Sequence, residues 1–218
     1  MAPFVNVLWS NPSAFPGRVG TASGGTSSLT TNPSLDLSTL PLTEGNVMVL
    51  VFRDQDAGHT GPTGWTLVND LYATTIGRHM SVWAKTVGAA EASSQTFTKS
   101  SSSRCGWVAF EYGGAHGDVE AVVTDATLNP ASLTPAWGSA KTQWVTACSV
   151  AASDNTLTAP SGYTGQVDGA SAASTADSRA RCAMAHLENE AASEDPGVWG
   201  ASGTYFYEMS ATIAVRPA

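Results

Sequence analysis

The chain has 218 residues and a mass of 22.4 kDa, enough to bury a sizeable core in one large all-β domain or two small ones. Ten basic against eighteen acidic residues give a net charge of −8, so the whole-chain field repels phosphate backbones and excludes nucleic acid as an expected partner. No run of about 18 apolar residues exists to insert into a bilayer, and "MAPFVNVLWSNPSAF" has no charged leader before an apolar stretch, so no cleaved signal peptide is expected.

In chain order, residues 1–40 make an N-terminal segment carrying Trp9 and the Ser/Thr-rich "GTASGGTSSLTTNPS". "NVMVLVF" (Asn46 to Phe52) is apolar on both alternating faces, the pattern of a central strand covered on each side. "DQDAGH" (Asp54 to His59) places two carboxylates before Gly58, a faint likeness to a calcium loop. It lacks a third ligand and has Trp65 at the twelfth position, so it reads as a polar surface loop. "HMSVWAKTV", "QTFTKS" and "RCGWVAFEY" follow as short strands bounded by Gly, Pro, Ser and Asp. Glycines within 111–117 suggest a joint, and "DVEAVVTD" after it reads as another strand. "QWVTACSVA", "ARCAMAHLE" and "YEMSATIAV" complete the set. "GAAEASS" and "ENEAASED" are too short for more than a single helical turn and read as connections.

The two halves echo each other. "PTGW" begins at Pro62 and "PSGY" at Pro160, 160 − 62 = 98 positions apart. "NVMVLVF" corresponds to "WVTACSVA", "HMSVWAKT" to "RCAMAHLE", and "GWVAFEY" to "SATIAVR", in the same order. This is one strand-turn-strand unit of about 80 to 100 residues, present twice. The expected division is 1–40, 41–117 and 118–218, with the last two combined in one β body. In each Pro-x-Gly-aromatic turn, Gly64 or Gly162 permits a positive φ or a close backbone approach and Trp65 or Tyr163 enters a strand as a core anchor, with a sugar-stacking platform as the alternative. Short antiparallel strands that must cover an apolar face give an all-β antiparallel sandwich of jelly-roll or Greek-key type, built from two similar half-units. Trp83, Trp107, Val49 and Val145 are expected to be buried.

Catalytic signatures are missing from the sequence: there is no G-x-S-x-G elbow, His-Glu-x-x-His pair, Cys-x-x-Cys or phosphate-cradling loop. Cys105, Cys148 and Cys182 are odd in number and lie in apolar runs, which makes them small core hydrophobes. His59, His79, His116 and His186 are scattered without an i, i+4 pair, and read as satisfied or solvated side chains. Glu188, Glu190, Glu194 and Asp195 form the densest acidic group; in a loop rich in Ala and Ser, they read as solvated charge or a subunit contact ahead of a glycosidase pair. No catalytic, cofactor or metal residues are assigned.

The segments "LPLTEGNVMVLVF", "PTGWTLV", "SVWAKTVGAAEASSQTFTKS", "NPASLTPAWGSAKTQWVTACSVA", "APSGYT" and "AASEDPGVWGASG…ATIAVRP" resemble virion structural proteins of tailed bacteriophages, over Leu40 to Pro217. The resemblance implies a β-sandwich on the particle surface, used as capsid decoration or as a tail-tip or fibre component, and carries no catalytic residues. It implies assembly in the host cytoplasm and major capsid or tail proteins as partners. A surface poor in charge, with 13 % Asp, Glu, Lys and Arg and with Trp9, Trp137 and Trp199, adds the expectation of a small homo-oligomer, a trimer or dimer. A module binding a host surface glycan is the alternative, and a polysaccharide-degrading enzyme a third reading.

Overall fold

The structure, a computed structural model, describes residues 14–55, 58–74, 77–151, 156–171 and 179–218; Trp9 and Asp56 lie outside the described residues. Its described elements are strands and turns, without a helix. The first half supplies β1 (Gly17–Gly25), β2 (Ser34–Asp36), β3 (Val47–Asp54), β4 (His59–Thr60), β5 (Thr66–Ala73), β6 (Arg78–Thr86), β7 (Ser94–Thr96), β8 (Thr98–Lys99) and β9 (Gly106–Gly113). The second half supplies β10 (Ala115–Asp125), β11 (Ala140–Ala151), β12 (Leu157–Thr158), β13 (Thr164–Ala170), β14 (Arg181–Ala191), β15 (Gly200–Ala201) and β16 (Phe206–Pro217).

Each half builds one five-stranded antiparallel sheet, in the orders β1-β9-β3-β6-β5 and β10-β16-β11-β14-β13. In both sheets the last strand in the chain, β9 or β16, lies between the first two, and β6 or β14 separates β3 from β5 or β11 from β13. Small ladders repeat as well: β4 with β8 matches β12 with β15, and β2 with β7 matches the bridge between Leu133 and Glu194. The fold is therefore a sandwich of two copies of one unit.

Apolar residues on both faces of the central strands dictate the layers. Val49, Val51, Val82, Val108 and Phe110 of the first sheet meet Val145, Ala147, Met184, Ala211 and Ile213 of the second in the shared core. The alternate residues of β3, Met48, Leu50 and Phe52, face the other way and are covered by Leu35, Leu37, Trp65 and Phe97 of the same half. Trp144, Cys148 and Val150 of β11 are covered in the same manner by Leu128, Leu157, Tyr163 and Trp199. Gly169 of β13 lies against the Trp107 carbonyl of β9, and any Cβ there would collide with backbone.

The echoed turns take equivalent places. Trp65 N–H donates to Pro62 O and Tyr163 N–H to Pro160 O, each at 3.2 Å, with Gly64 and Gly162 at φ of 84° and 90°. That is a turn of type II shape, whose third residue must be glycine-like. Both aromatics are 8 % exposed and so are core anchors. Trp83, Trp107, Val49 and Val145 are buried as expected. Trp199 is a correction: it is 1 % exposed, because it occupies the covering layer that Phe97 fills in the first half, and offers nothing to a neighbour. The unit boundary falls at Gly114, with φ of 70°, between β9 and β10, and β1 belongs to the first sheet.

All four edge strands carry register irregularities, between Arg18 and Gly20 in β1, Leu67 and Asn69 in β5, Ala115 and Val119 in β10, and Thr164 and Val167 in β13. Such edges resist strand addition by another chain.

Candidate functional site

A polar cluster lies on the outer side of the first sheet. Asp54 ends β3 and pairs in register with His79 of β6, while β4 brings in His59. Asp54 Oδ2 is 3.4 Å from His59 Nδ1, and Asp54 Oδ1 is 3.9 Å from His79 Nδ1. One donor atom from each of the three residues lies within 4.8 Å of the others. The imidazole rings stack with centroids 4.2 Å apart at 29°. All three side chains are buried, at 0 %, 1 % and 3 % exposure for Asp54, His59 and His79. The polar-surface-loop reading of Asp54 and His59 is therefore corrected: the ladder of β4 with β8 folds this segment back over Phe52, and His59 packs edge-on to that ring.

The opposite ring nitrogens are also held. His79 Nε2 is 3.1 Å from Asp70 Oδ2, and since an ionised carboxylate only accepts, Nε2 carries the proton. Burial, followed by the neighbouring His59, pulls the His79 pKa down and favours the neutral ring. His59 Nε2 is 2.8 Å from Ser81 Oγ.

Asp54, His59 and Ser81 thus line up in the order of a hydrolase triad, but their surroundings oppose that chemistry. Ser81 is fully buried in the middle of β6, and its Oγ already accepts the Trp83 indole N–H at 2.8 Å. A nucleophile needs a free approach for the substrate carbonyl beside it. The hollow next to His59, about 350 Å3, is lined by Gly58, His59, Thr60, Thr98, Lys99 and Ser100 and does not include Ser81.

The other sequence candidates separate. His116 is exposed and pairs with Asp118 at 3.1 Å. Burial, then Arg18, lowers the His186 pKa to about 4, and the Gln143 amide meets its Nδ1 at 3.0 Å. Glu188 and Glu190 stand on β14, because that strand runs past the expected loop start to Ala191, which corrects their loop assignment. Glu194 is structural: it accepts from Asn189 Nδ2 at 3.0 Å and Tyr163 OH at 3.4 Å. The three cysteines are free and buried, and burial raises each pKa, that of Cys105 to about 11, so the thiols stay protonated. Buried Glu111 was not singled out by sequence reasoning; it accepts from Leu42 N–H, Thr43 N–H and Asn46 Nδ2 at 2.8, 3.0 and 2.6 Å.

A second feature is a groove between the halves. Two adjoining hollows, of about 550 and 330 Å3, share Thr66, Gly117 and Val119. The larger is lined also by Asp118, Glu120, Arg216 and half-buried Trp137, whose indole N–H donates to Thr142 Oγ1 at 3.0 Å. No family model, curated protein or solved structure matches the chain.

Proposed function

We propose that the chain is a non-enzymatic structural component on the surface of a tailed-phage particle, best suited to capsid decoration and docked as a small closed oligomer. The structural observation that carries this reading is the sealing of the unit: each five-stranded sheet is covered on its outer face by its own half, and all four edges of these two sheets carry register shifts. Such a block is rigid and protected from strand addition, so it suits docking on a shell through loops and faces. The resemblance of the segments between Leu40 and Pro217 to virion proteins supports the same reading. The burial of Ser81 is the reason for leaving hydrolysis out.

A receptor-binding tail module is the second reading, favoured by the groove at Trp137, where an indole stands beside Asp118 and Glu120, a composition suited to stacking and hydrogen-bonding a glycan. Counting copies per purified particle by mass spectrometry separates the two. Hundreds of copies, with a deletion mutant whose particles are heat-fragile but still adsorb, support decoration. A handful of copies, with loss of adsorption, transfers the assignment to the tail, and release of reducing sugar from host polysaccharide by the pure protein overturns both.

A further inference from the structure

The geometry points to a divalent transition-metal site of the zinc class formed by Asp54, His59 and His79 within the first repeat. Three observations converge on it. The first is the spacing. Ligands around tetrahedral zinc, at Zn–N distances of about 2.0–2.1 Å, stand about 3.3 Å from one another. One donor atom from each of the three residues lies within 4.8 Å of the others, with 3.4 Å between Asp54 Oδ2 and His59 Nδ1 and 3.9 Å between Asp54 Oδ1 and His79 Nδ1, so a bound ion would draw the set together.

The second is the direction of the lone pairs. His79 donates its Nε2 proton to Asp70, so a neutral ring presents the Nδ1 lone pair towards Asp54. Ser81 Oγ accepts from Trp83 and lies 3.4 Å from Phe52 O, an acceptor for its own proton; it can then accept from His59 Nε2–H as well. That arrangement leaves His59 Nδ1 as a second lone pair facing the carboxylate, buried and without a hydrogen bond. One carboxylate oxygen of Asp54 faces His59 Nδ1 and the other faces His79 Nδ1, and a cation held by the three residues would draw these donor atoms together. An imidazole held by a carboxylate on its far nitrogen is also the usual outer support of a metal ligand, and Asp70 supplies it. The nearby Lys99 ammonium is turned to Ser103, bonding its O at 2.6 Å and Oγ at 2.7 Å.

The third is the comparison with the second repeat. By strand register, Asp54 pairs with His79 where Val150 pairs with Arg181, and His59 precedes Pro62 by three residues as Leu157 precedes Pro160. Val150 and Leu157 are ordinary core residues. The unit therefore folds with apolar side chains in these two places, and the first copy departs from that pattern at the positions that supply the ligands. A bound dication would be balanced by the carboxylates of Asp54 and Asp70.

The test uses the tag-free full chain, stripped with chelator and titrated with Zn2+ alone at neutral pH. The expected result is one ion per chain, with a Tm rise of roughly 5 °C or more at zinc about 100-fold above Kd. Co2+ substitution should give the intense visible absorption of a four-coordinate site. His59→Leu, which takes the side chain of the second repeat, should remain folded and lose the zinc response. Asp70→Asn should weaken affinity about 10- to 100-fold while leaving the stoichiometry at one. Absence of stoichiometric binding to the folded wild-type chain overturns the site, as does zinc binding of unchanged affinity in folded His59→Leu.

Discussion

The two repeats share strand order, covering ladders and turn geometry, yet differ in what fills the outer layer next to the central strand. In the second copy that layer is mainly apolar, with Val150, Leu157, Tyr163 and Trp199 packed together and Thr146 beneath the Trp199 indole. In the first, Phe97 and Trp65 keep their places while Asp54, His59 and Ser81 enter beside them. The register pairs Ser81 with Asp70 where Ala183 pairs with Asp168, so Ser81 too stands where the other copy has a small apolar residue. The topology is maintained by apolar central strands and glycine turns, which both copies have. Polar substitutions are added where that frame tolerates them, so the asymmetry marks where the first copy has been specialised.

The comparison breaks most visibly if the anchors are unequal. Trp65→Ala and Tyr163→Ala should each lower stability by about 3–5 kcal/mol, because both rings are buried at the same turn. Denaturant unfolding measures this, and a neutral result in one copy would end the equivalence. Next in size is Glu111→Ala, at about 2–3 kcal/mol, since it removes a buried carboxylate that accepts three part-buried hydrogen bonds. The register aligns Glu111 with Ala214, through their partners Met48 and Trp144, so Ala214 variants test packing alone.

Acid should act on both copies through different histidines. Burial, then His59, depresses the His79 pKa, and burial, then Arg18, depresses that of His186 to about 4. An unfolded histidine takes up a proton below about pH 6.5, whereas these native rings resist it. Stability is therefore present above about pH 6.5 and declines as pH falls towards 4. Unfolding titrations at pH 7, 5.5 and 4.5 should show that slope. His186→Ala, which installs the residue found at the matching Ala84, should flatten part of it. The smallest effect is expected at the cross-strand pair Arg181 to Asp168, at 2.8 Å, which matches His79 to Asp70 in the first copy. Both partners are partly exposed, so Arg181→Ala should cost roughly 0.2–1 kcal/mol in thermal or chemical melts.

Much of the frame was legible in the sequence for identifiable reasons. "NVMVLVF" has apolar residues on both faces because its strand is covered by a sheet on one side and by its own loops on the other. The paired turns were legible because a positive φ confines the choice of residue to glycine at 64 and 162. The polar cluster was not, since Asp54 and His79 are adjacent only through strand pairing and His59 only through the short β4–β8 ladder. Aligning the repeats by register would have flagged it. The offset is 150 − 54 = 96 at the end of the central strand and 157 − 59 = 98 before the turn, and at both places a polar residue stands opposite an apolar one. Trp199 was misread because a tryptophan after "EDPG" looks exposed in isolation, while the repeat places it over Thr146, whose Oγ1 accepts its indole N–H at 2.9 Å.

The claim that one fold unit occurs twice, specialised in its first copy, is tested most directly by giving that copy the side chains of the other. The double variant Asp54→Val and His59→Leu, melted with and without Zn2+, should stay folded with a metal-free Tm equal to or above wild type, because replacing a buried polar cluster with apolar residues is often neutral or stabilising by about 1–4 kcal/mol. Its Tm should no longer respond to zinc. A variant that fails to fold, or melts far below the metal-free wild type, would contradict the equivalence of the two copies, and a folded variant that still gains stability from zinc would contradict the specialisation.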